Sequence, residues 1–348
     1  MNYQSFKDIL VCPECGSAVE ETSNGFSCIG HCKCQYPIYH QVPVMISPKN
    51  PVFNFADFAD GKPPTIFFNS YQNPILQFFK KIRPDITLNV ASKKNYAAIA
   101  TQLQAKAAEL PTIAKQSASA EIESPTSEQT QGPNEPIRIL VIGGSIDGNG
   151  IRELKDHLPA NAVMVESDVA HGPNTNIIID AHQIPFKDES FDLVIAQAVL
   201  EHVLDPFACV KEIERVLKPG GLIYAETPFM QHVHGGKYDF HRFTLLGHRR
   251  LFRHFREESS GLVAGAGSMM AWSVMYFITS FAPTKKINKA LSYIGSFASF
   301  WLKYFDYLLN KNKGSYDAAC GLFFLGKKEP GYILPDNELL ASYIGQKS

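Results

Sequence analysis

The hydrophobic positions of this chain change rhythm at about Ile137. From there, short runs of aliphatic residues alternate with segments of three- and four-residue spacing. Ile137–Ile142, Ala162–Glu166, Asn176–Ile179, Phe191–Ala196 and Leu222–Glu226 each read as a buried strand. Gly150–Leu158 carries Ile151, Leu154 and Leu158 at helical spacing. Asp205-Pro206 opens another helix, an N-cap acid followed by proline at the first helical position. Phe207, Val210, Ile213 and Leu217 form its apolar face, and Lys218-Pro219-Gly220-Gly221 stops it. Strands alternating with helices predict an α/β fold with a doubly wound, mostly parallel sheet. Right-handed crossovers bring the strand C-termini to one edge, where such folds bind ligands.

The rest of the chain divides by composition. Residues 1–47 form a cysteine-rich module. Residues 48–104 are a connecting segment with aromatic clusters (Phe53, Phe55, Phe58, then Phe67, Phe68, Tyr71, Phe78, Phe79) broken by prolines. Residues 105–136 lack aromatics and read as a disordered linker. Residues 137–328 are the regular domain and 329–348 a tail. Leu262–Ala282 has no charged residue and ends at Pro283, which reads as a buried or lid helix, with a membrane span as the alternative. Leu291–Leu309 adds a second helix with Trp301, Tyr304, Phe305 and Leu308 on one side. The two make a helical insertion over about 262–310, a substrate cap or a peripheral membrane contact. Ala318–Leu325 reads as a closing strand.

Composition narrows the partners. The 348 residues are 45% apolar and 19% charged, with a formal net charge of -1. No global basic field draws the chain to nucleic acid, and none is expected as a partner. Met1–Leu10 contains Lys7 and Asp8 and no apolar run, unlike a secretory signal. Five of the 7 cysteines fall between Cys12 and Cys34, which suits a metal site in a reducing cytoplasm better than a disulfide framework.

Several motifs fall on the predicted strand ends. Gly143-Gly144-Ser145 follows the first strand, where small residues allow a nucleotide to approach the backbone. Alone, that turn does not separate a nicotinamide dinucleotide from S-adenosylmethionine. Glu166-Ser167-Asp168 ends the second strand, about twenty residues on, where a carboxylate can accept from both ribose hydroxyls. Asp180-Ala181-His182-Gln183-Ile184-Pro185-Phe186 follows the third strand, and Gln197-Ala198-Val199-Leu200-Glu201-His202 the fourth.

In combination, Ile137 to Glu226 resembles the class I S-adenosylmethionine-dependent methyltransferases of the small-molecule and natural-product type, a Rossmann-like fold. The segment Asp180–Phe186 is similar to that family's adenine-binding stretch. Ser190-Phe191-Asp192, Leu200-Glu201-His202 and the run from Glu212 to Gly221 are similar to its later motifs. The resemblance implies that Gly143, Gly144 and Ser145 face the methionine part of the cofactor and Glu166 the ribose. Asp180 and Ala181 would take the adenine, with Gln197 beside the sulfonium. The sequence departs from the family at Val141, where an acid is common, and at Ser145, where glycine is common. Asp147 is a candidate for the missing charge.

Cys12-Pro13-Glu14-Cys15 followed by Cys28 and Cys32 can close a tetrahedral, structural zinc site, with Cys34 able to replace either of the second pair. With Tyr36-Pro37-Ile38 and the apolar run Val42–Ile46, this module resembles the short zinc-ribbon proteins that partner methyltransferases. After the fifth strand, Thr227–Thr244 holds three histidines between residues 232 and 241, with Asp239 and Arg242. It should hang over the cofactor site. His234 or Asp239 is the candidate base for an acceptor, and Arg242 the candidate anchor for an acidic substrate or for Asp239 itself. The reading is methyl transfer to a small-molecule, glycan or lipid-linked acceptor by a cytoplasmic protein that contacts a membrane only peripherally. The alternatives are a non-catalytic scaffold that binds a protein partner through its ribbon, and a nicotinamide-dependent enzyme.

Overall fold

The computed structural model describes residues 2–59, 82–117 and 135–346. The aromatic cluster Phe67–Phe79 lies outside them. The N-terminal module contributes β1 (Val19–Thr22), β2 (Gly25–Cys28), β3 (Gln35–Tyr39) and β4 (Val42–Met45). The main domain contributes β5 (Ile137–Ile142), β6 (Ala162–Asp168), β7 (Ile177–Ile179), β8 (Phe191–Gln197), β9 (Leu217–Pro228), β10 (Phe255–Ala264) and β11 (Gly321–Lys328). All eleven form one sheet in the order β1-β2-β3-β4-β7-β6-β5-β8-β9-β11-β10.

From β7 to β9 the strands are parallel, and β11 runs antiparallel beside β9. Every residue of β5 is buried, as a strand covered on both faces requires. The N-terminal module is not a separate bead. Val44 and Met45 of β4 pair in parallel with Ile178 and Ile179 of β7, so the module extends the main sheet and covers its edge.

Helix α1 (Ser92–Ser117) packs Tyr96, Ile99, Ala100 and Leu103 on the face formed by Ile139, Val141, Leu193, Ile195 and Tyr224. It overruns the linker expected from residue 105. Lys106 pairs with the buried Asp192 at 2.6 Å. The stretch without aromatics, rich in alanine, lysine and glutamine, has high helix propensity, and an anchored helix continues through it. Residues 118–134 of that expected linker are outside the described set.

Helix α2 (Ile151–Lys155) crosses between β5 and β6, and α3 (Pro206–Val216) between β8 and β9. The Asp205 side chain caps α3, accepting from Phe207 N and Ala208 N. Phe207 is exposed rather than on the buried face, beneath the Arg250 guanidinium at 5.3 Å. Pro206, Cys209, Val210, Ile213 and Val216 carry the packing. Leu217 belongs to β9, which takes in the expected helix stop.

After the short α4 (Leu245–Leu251) comes β10, an edge strand beyond those the hydrophobic pattern predicts, because Arg256, Glu257 and Glu258 give it the look of a polar connector. It absorbs Leu262–Ala264, so the apolar helix α5 is Ala266–Thr279. The buried Asp306 caps it, accepting from Gly267 N at 2.7 Å and Ser268 Oγ at 2.6 Å. Helix α6 (Lys285–Ser299) packs across α5. Phe277 of α5, Phe281 just after it and Leu308 of the short helix Asp306–Leu309 are exposed. Among the described residues no helix is long and apolar enough to cross a membrane.

Candidate active site

A cavity of about 910 Å³ lies at the C-terminal edge of the parallel strands. That is at the upper end of the roughly 300–1,000 Å³ typical of small-molecule sites. All five central strands reach it: Gly143 and Ser145 after β5, Asp168 at the end of β6, Asp180 and Ala181 after β7, Gln197 at the end of β8, and Glu226 in β9. Asn50 and Phe53 close it from the N-terminal module's side, and His234 and Tyr238 from the loop after β9. Phe53 stacks on Tyr238 with ring centroids 6.4 Å apart, joining the two rims.

Gly143 adopts φ +77°, and a Cβ there would stand 2.5 Å from Val199 Cγ2. The turn therefore needs glycine on conformational and steric grounds. Gly144 is not on the wall; it packs over Glu166 and Val141.

The structure separates the two acids of β6. The strand continues to Asp168; Glu166, two residues earlier on the same face, lies further back from the strand's C-terminal end and does not line the cavity. Glu166 accepts from Lys155 at 2.7 Å. Asp168 is on the wall, its oxygens accepting from Ser145 N at 3.2 Å and Ala170 N at 3.1 Å. Burial pushes the Asp168 carboxyl up against the pull of those donors. The sequence signal was the strand length: an end two residues later puts Asp168, rather than Glu166, on the cavity wall.

Asp180 accepts from His182 Nδ1 at 2.6 Å, His182 N at 2.9 Å and Asn50 Nδ2 at 2.5 Å. Burial acts to raise its carboxyl, but these donors outweigh it and hold Asp180 below the usual range. The hydrogen bond to Asp180 in turn raises the His182 imidazole. Gln197 is held on both ends: Tyr96 Oη donates to Oε1, and Nε2 donates to Asn149 O and Glu226 Oε2. Glu226 also accepts from Ser92 Oγ and Tyr224 Oη. Burial raises its carboxyl despite those donors. It places a buried acid on the cavity that Val141 does not supply. Asp147 lines the cavity too, but Lys155 and Asn174 already engage it.

Of the three residues expected to act on an acceptor, only His234 faces the cavity. Asp239 accepts from His234 N and Gly235 N, and Arg242 pairs with both its oxygens. Against burial, the guanidinium and those amides hold its carboxyl far below the ordinary range. Arg242 also donates to the carbonyls of Gln231, His232 and His241. Both side chains are committed to shaping the loop. The helical insertion does not line the cavity. It supports the loop from behind, with Tyr276 Oη donating to Val233 O and Trp272 beside the His234 ring.

In the N-terminal module Cys12, Cys15, Cys28 and Cys32 converge. Sulfur separations are 3.4 Å for Cys12–Cys32 and 3.5 Å for Cys15–Cys28 and Cys15–Cys32. Tetrahedral zinc with bonds of about 2.3 Å needs sulfurs about 3.8 Å apart, so the donor set fits. Tyr36 Oη lies 2.9 Å from Cys12 Sγ, and Gly30 N donates to Cys28 Sγ at 3.3 Å. Such second contacts orient thiolate ligands. Cys34 stands outside the group; its Sγ lies 3.8 Å from the Cys32 carbonyl.

Residues 142–225 match the family model described as a methyltransferase domain. Curated relatives match over short stretches. An uncharacterized methyltransferase of Schizosaccharomyces pombe is 45% identical over 42 residues, 12% of this chain and 15% of that protein. Demethylmenaquinone methyltransferases of Staphylococcus aureus strains are 48% identical over 44 residues, 13% of this chain and 18% of theirs. The alignments thus span less than a fifth of those relatives. Among solved structures, one from a complex containing the Haloferax volcanii Trm112 methyltransferase activator aligns at TM-score 0.37 and 18% identity, covering 67% of this chain and 97% of that one. Haemonchus contortus phosphoethanolamine N-methyltransferase 2 with S-adenosyl-L-methionine aligns at TM-score 0.35 and 17% identity, covering 56% and 49%.

Proposed function

We propose that the cavity binds S-adenosylmethionine and that the chain transfers its methyl group to a small-molecule, glycan or lipid-linked acceptor. The observation that carries this reading is the placing of the Gly143 turn, Asp168 and Asp180 on one cavity at successive strand ends, within the stretch that matches a methyltransferase domain. Gly143, Gly144 and Ser145 form the turn beside the methionine part. Asp168, rather than Glu166, takes the ribose hydroxyls. Asp180 and the backbone of Ala181 take the adenine, and Asn50 and His182 fix the carboxylate for it. Gln197 flanks the sulfonium, and Glu226 offers a negative charge to the ammonium group.

Bound there, the cofactor supplies an electrophilic methyl group. The protein's own contribution is alignment and exclusion of water. His234 is the acceptor-side group, and Asp239 and Arg242 hold its loop. Cys12, Cys15, Cys28 and Cys32 hold a structural zinc with no open position.

Isothermal titration calorimetry with S-adenosylmethionine and S-adenosylhomocysteine tests the reading. Saturable binding of both is expected, and binding of neither by folded protein overturns it. Methyl transfer that is lost in a folded Asp180→Ala variant would exclude a scaffold without catalysis.

A further inference from the structure

Beside the His234 face of the cavity is a buried acid that the cofactor reading does not use. Glu201, in the turn after β8, is 1% exposed, and among the described residues neither of its carboxylate oxygens has a hydrogen-bond partner. Leaving such a polar group unmatched is costly. Two imidazoles face it. His202 Nε2 and His234 Nε2 each lie 3.7 Å from Glu201 Oε1, beyond hydrogen-bond length. One donor atom from each of the three residues falls within 4.8 Å of the others.

The rings are oriented from behind. His202 Nδ1 meets the Tyr238 carbonyl at 2.7 Å. His234 Nδ1 meets the His232 carbonyl at 3.2 Å and lies 3.5 Å from Asp239 Oδ2. With Nδ1 turned to carbonyls, Nε2 is the atom each ring presents to Glu201, the second-contact pattern that fixes metal-binding histidines. The backbone keeps the two halves together: Phe240 N and His241 N both donate to the Glu201 carbonyl, at 2.8 and 3.2 Å. Gly235 has no side chain where a Cβ would fall 2.5 Å from His202 Cε1, which lets the ring sit against the loop.

We infer that Glu201, His202 and His234 form a site for a divalent transition-metal ion on the acceptor side of the cavity. Bonds of about 2.1 Å at a tetrahedral angle put ligand atoms about 3.4 Å apart, a few tenths of an ångström from the two Glu201–imidazole separations of 3.7 Å, and the two imidazoles' ligand atoms lie within 4.8 Å of each other. Two imidazoles and one carboxylate leave coordination positions open, as in sites that bind oxygen ligands. Both His202 and His234 line the cavity, so those positions face it. The ion would take an oxygen of the acceptor, lower the pKa of a hydroxyl there, and make His234 a ligand rather than a proton carrier. This assignment rests on the acceptor side proposed above.

The test is titration of Mn²⁺ into the full chain with its ribbon zinc retained, followed by electron paramagnetic resonance of the free ion. Thiolate ligands disfavour Mn²⁺, so the ribbon does not compete. One bound ion per chain is expected. Glu201→Gln and, separately, His234→Ala should each weaken binding more than about tenfold, while His241→Ala leaves it unchanged. If Glu201→Gln does not fold, His234→Ala carries the comparison. No binding by about 1 mM Mn²⁺, or equal binding by parent and both folded variants, overturns the site. S-adenosylhomocysteine affinity is measured alongside. Cofactor binding without Mn²⁺ binding refutes the metal site alone, and the converse refutes the cofactor reading alone.

Discussion

Replacing Arg242 by alanine tests whether the loop after β9 is held by its internal ion pair. The Asp239 side chain is 1% exposed and the Arg242 side chain 25%. Removing one partner of a fully buried pair costs about 3–5 kcal/mol, and an exposed pair is worth about 0–1 kcal/mol. Arg242 lies between these limits and also satisfies three backbone carbonyls, which puts the cost at about 2–4 kcal/mol. For a domain of this size that lowers the thermal midpoint by about 5–10 °C. Lysine should not rescue it, because a point charge cannot span a carboxylate and three carbonyls at once. The pH dependence has a definite sign. The Asp239 carboxyl is depressed in the fold, so its contribution is present above about pH 3.9 and is lost as pH falls through the depressed value. Arg242→Ala should therefore unfold at a higher pH than the parent during acid titration. Neither Asp239 nor Arg242 lines the cavity, so S-adenosylhomocysteine affinity should stay within about threefold once folded protein is counted. A thermal midpoint within 2 °C of the parent, or an affinity loss in a fully folded variant, would refute the reasoning.

Asp168→Ala should weaken S-adenosylhomocysteine binding by about tenfold to a hundredfold, and Glu166→Ala by less than about threefold, in calorimetry; the reverse ranking returns the ribose to Glu166. Gly143→Ala forces a left-handed backbone on alanine and a contact with Val199, and should cost about 2 kcal/mol in urea unfolding; a neutral result contradicts the turn. The raised His182 imidazole contributes stability that is complete below about pH 6.5 and disappears as pH rises through its folded value. The stability gap between parent and His182→Ala should accordingly narrow from pH 6 to pH 9, and a constant gap contradicts the pairing. In a His234→Ala background, which removes the second metal site inferred above, elemental analysis should find one zinc per chain, absent once Cys12→Ser and Cys15→Ser are added; retention there removes these ligands from the site.

The doubly wound core was readable because its strands are continuous apolar runs bounded by turn residues. The strand-end acids followed from the same pattern. What failed depended on length and on long-range contact. Two extra residues in β6 put Asp168, rather than Glu166, on the cavity wall. Residues 105–117 look unstructured by composition until Tyr96–Leu103 anchors the helix that carries them. Glu226 and Asn50 gave no local signal, since each gains its place from partners more than a hundred residues away, Ser92 and Asp180. Asp239 and Arg242 stood out by polarity, but polarity alone does not tell a group that acts on a ligand from one that holds a loop.

The strand pairing of Val44 and Met45 with Ile178 and Ile179 has a consequence for how this molecule behaves on dilution. A zinc module supplied by a separate chain would dissociate at low protein concentration, taking the Asn50 contact to Asp180 with it. Here the module is tethered, so its effective concentration at the sheet edge is set by the chain and not by the solution. Cofactor affinity per mole of protein should be the same at nanomolar and micromolar concentration. With zinc on the four cysteines as proposed, sensitivity to zinc supply would remain, because loss of the ion would loosen β4 and, through it, the Asp180 carboxylate after β7.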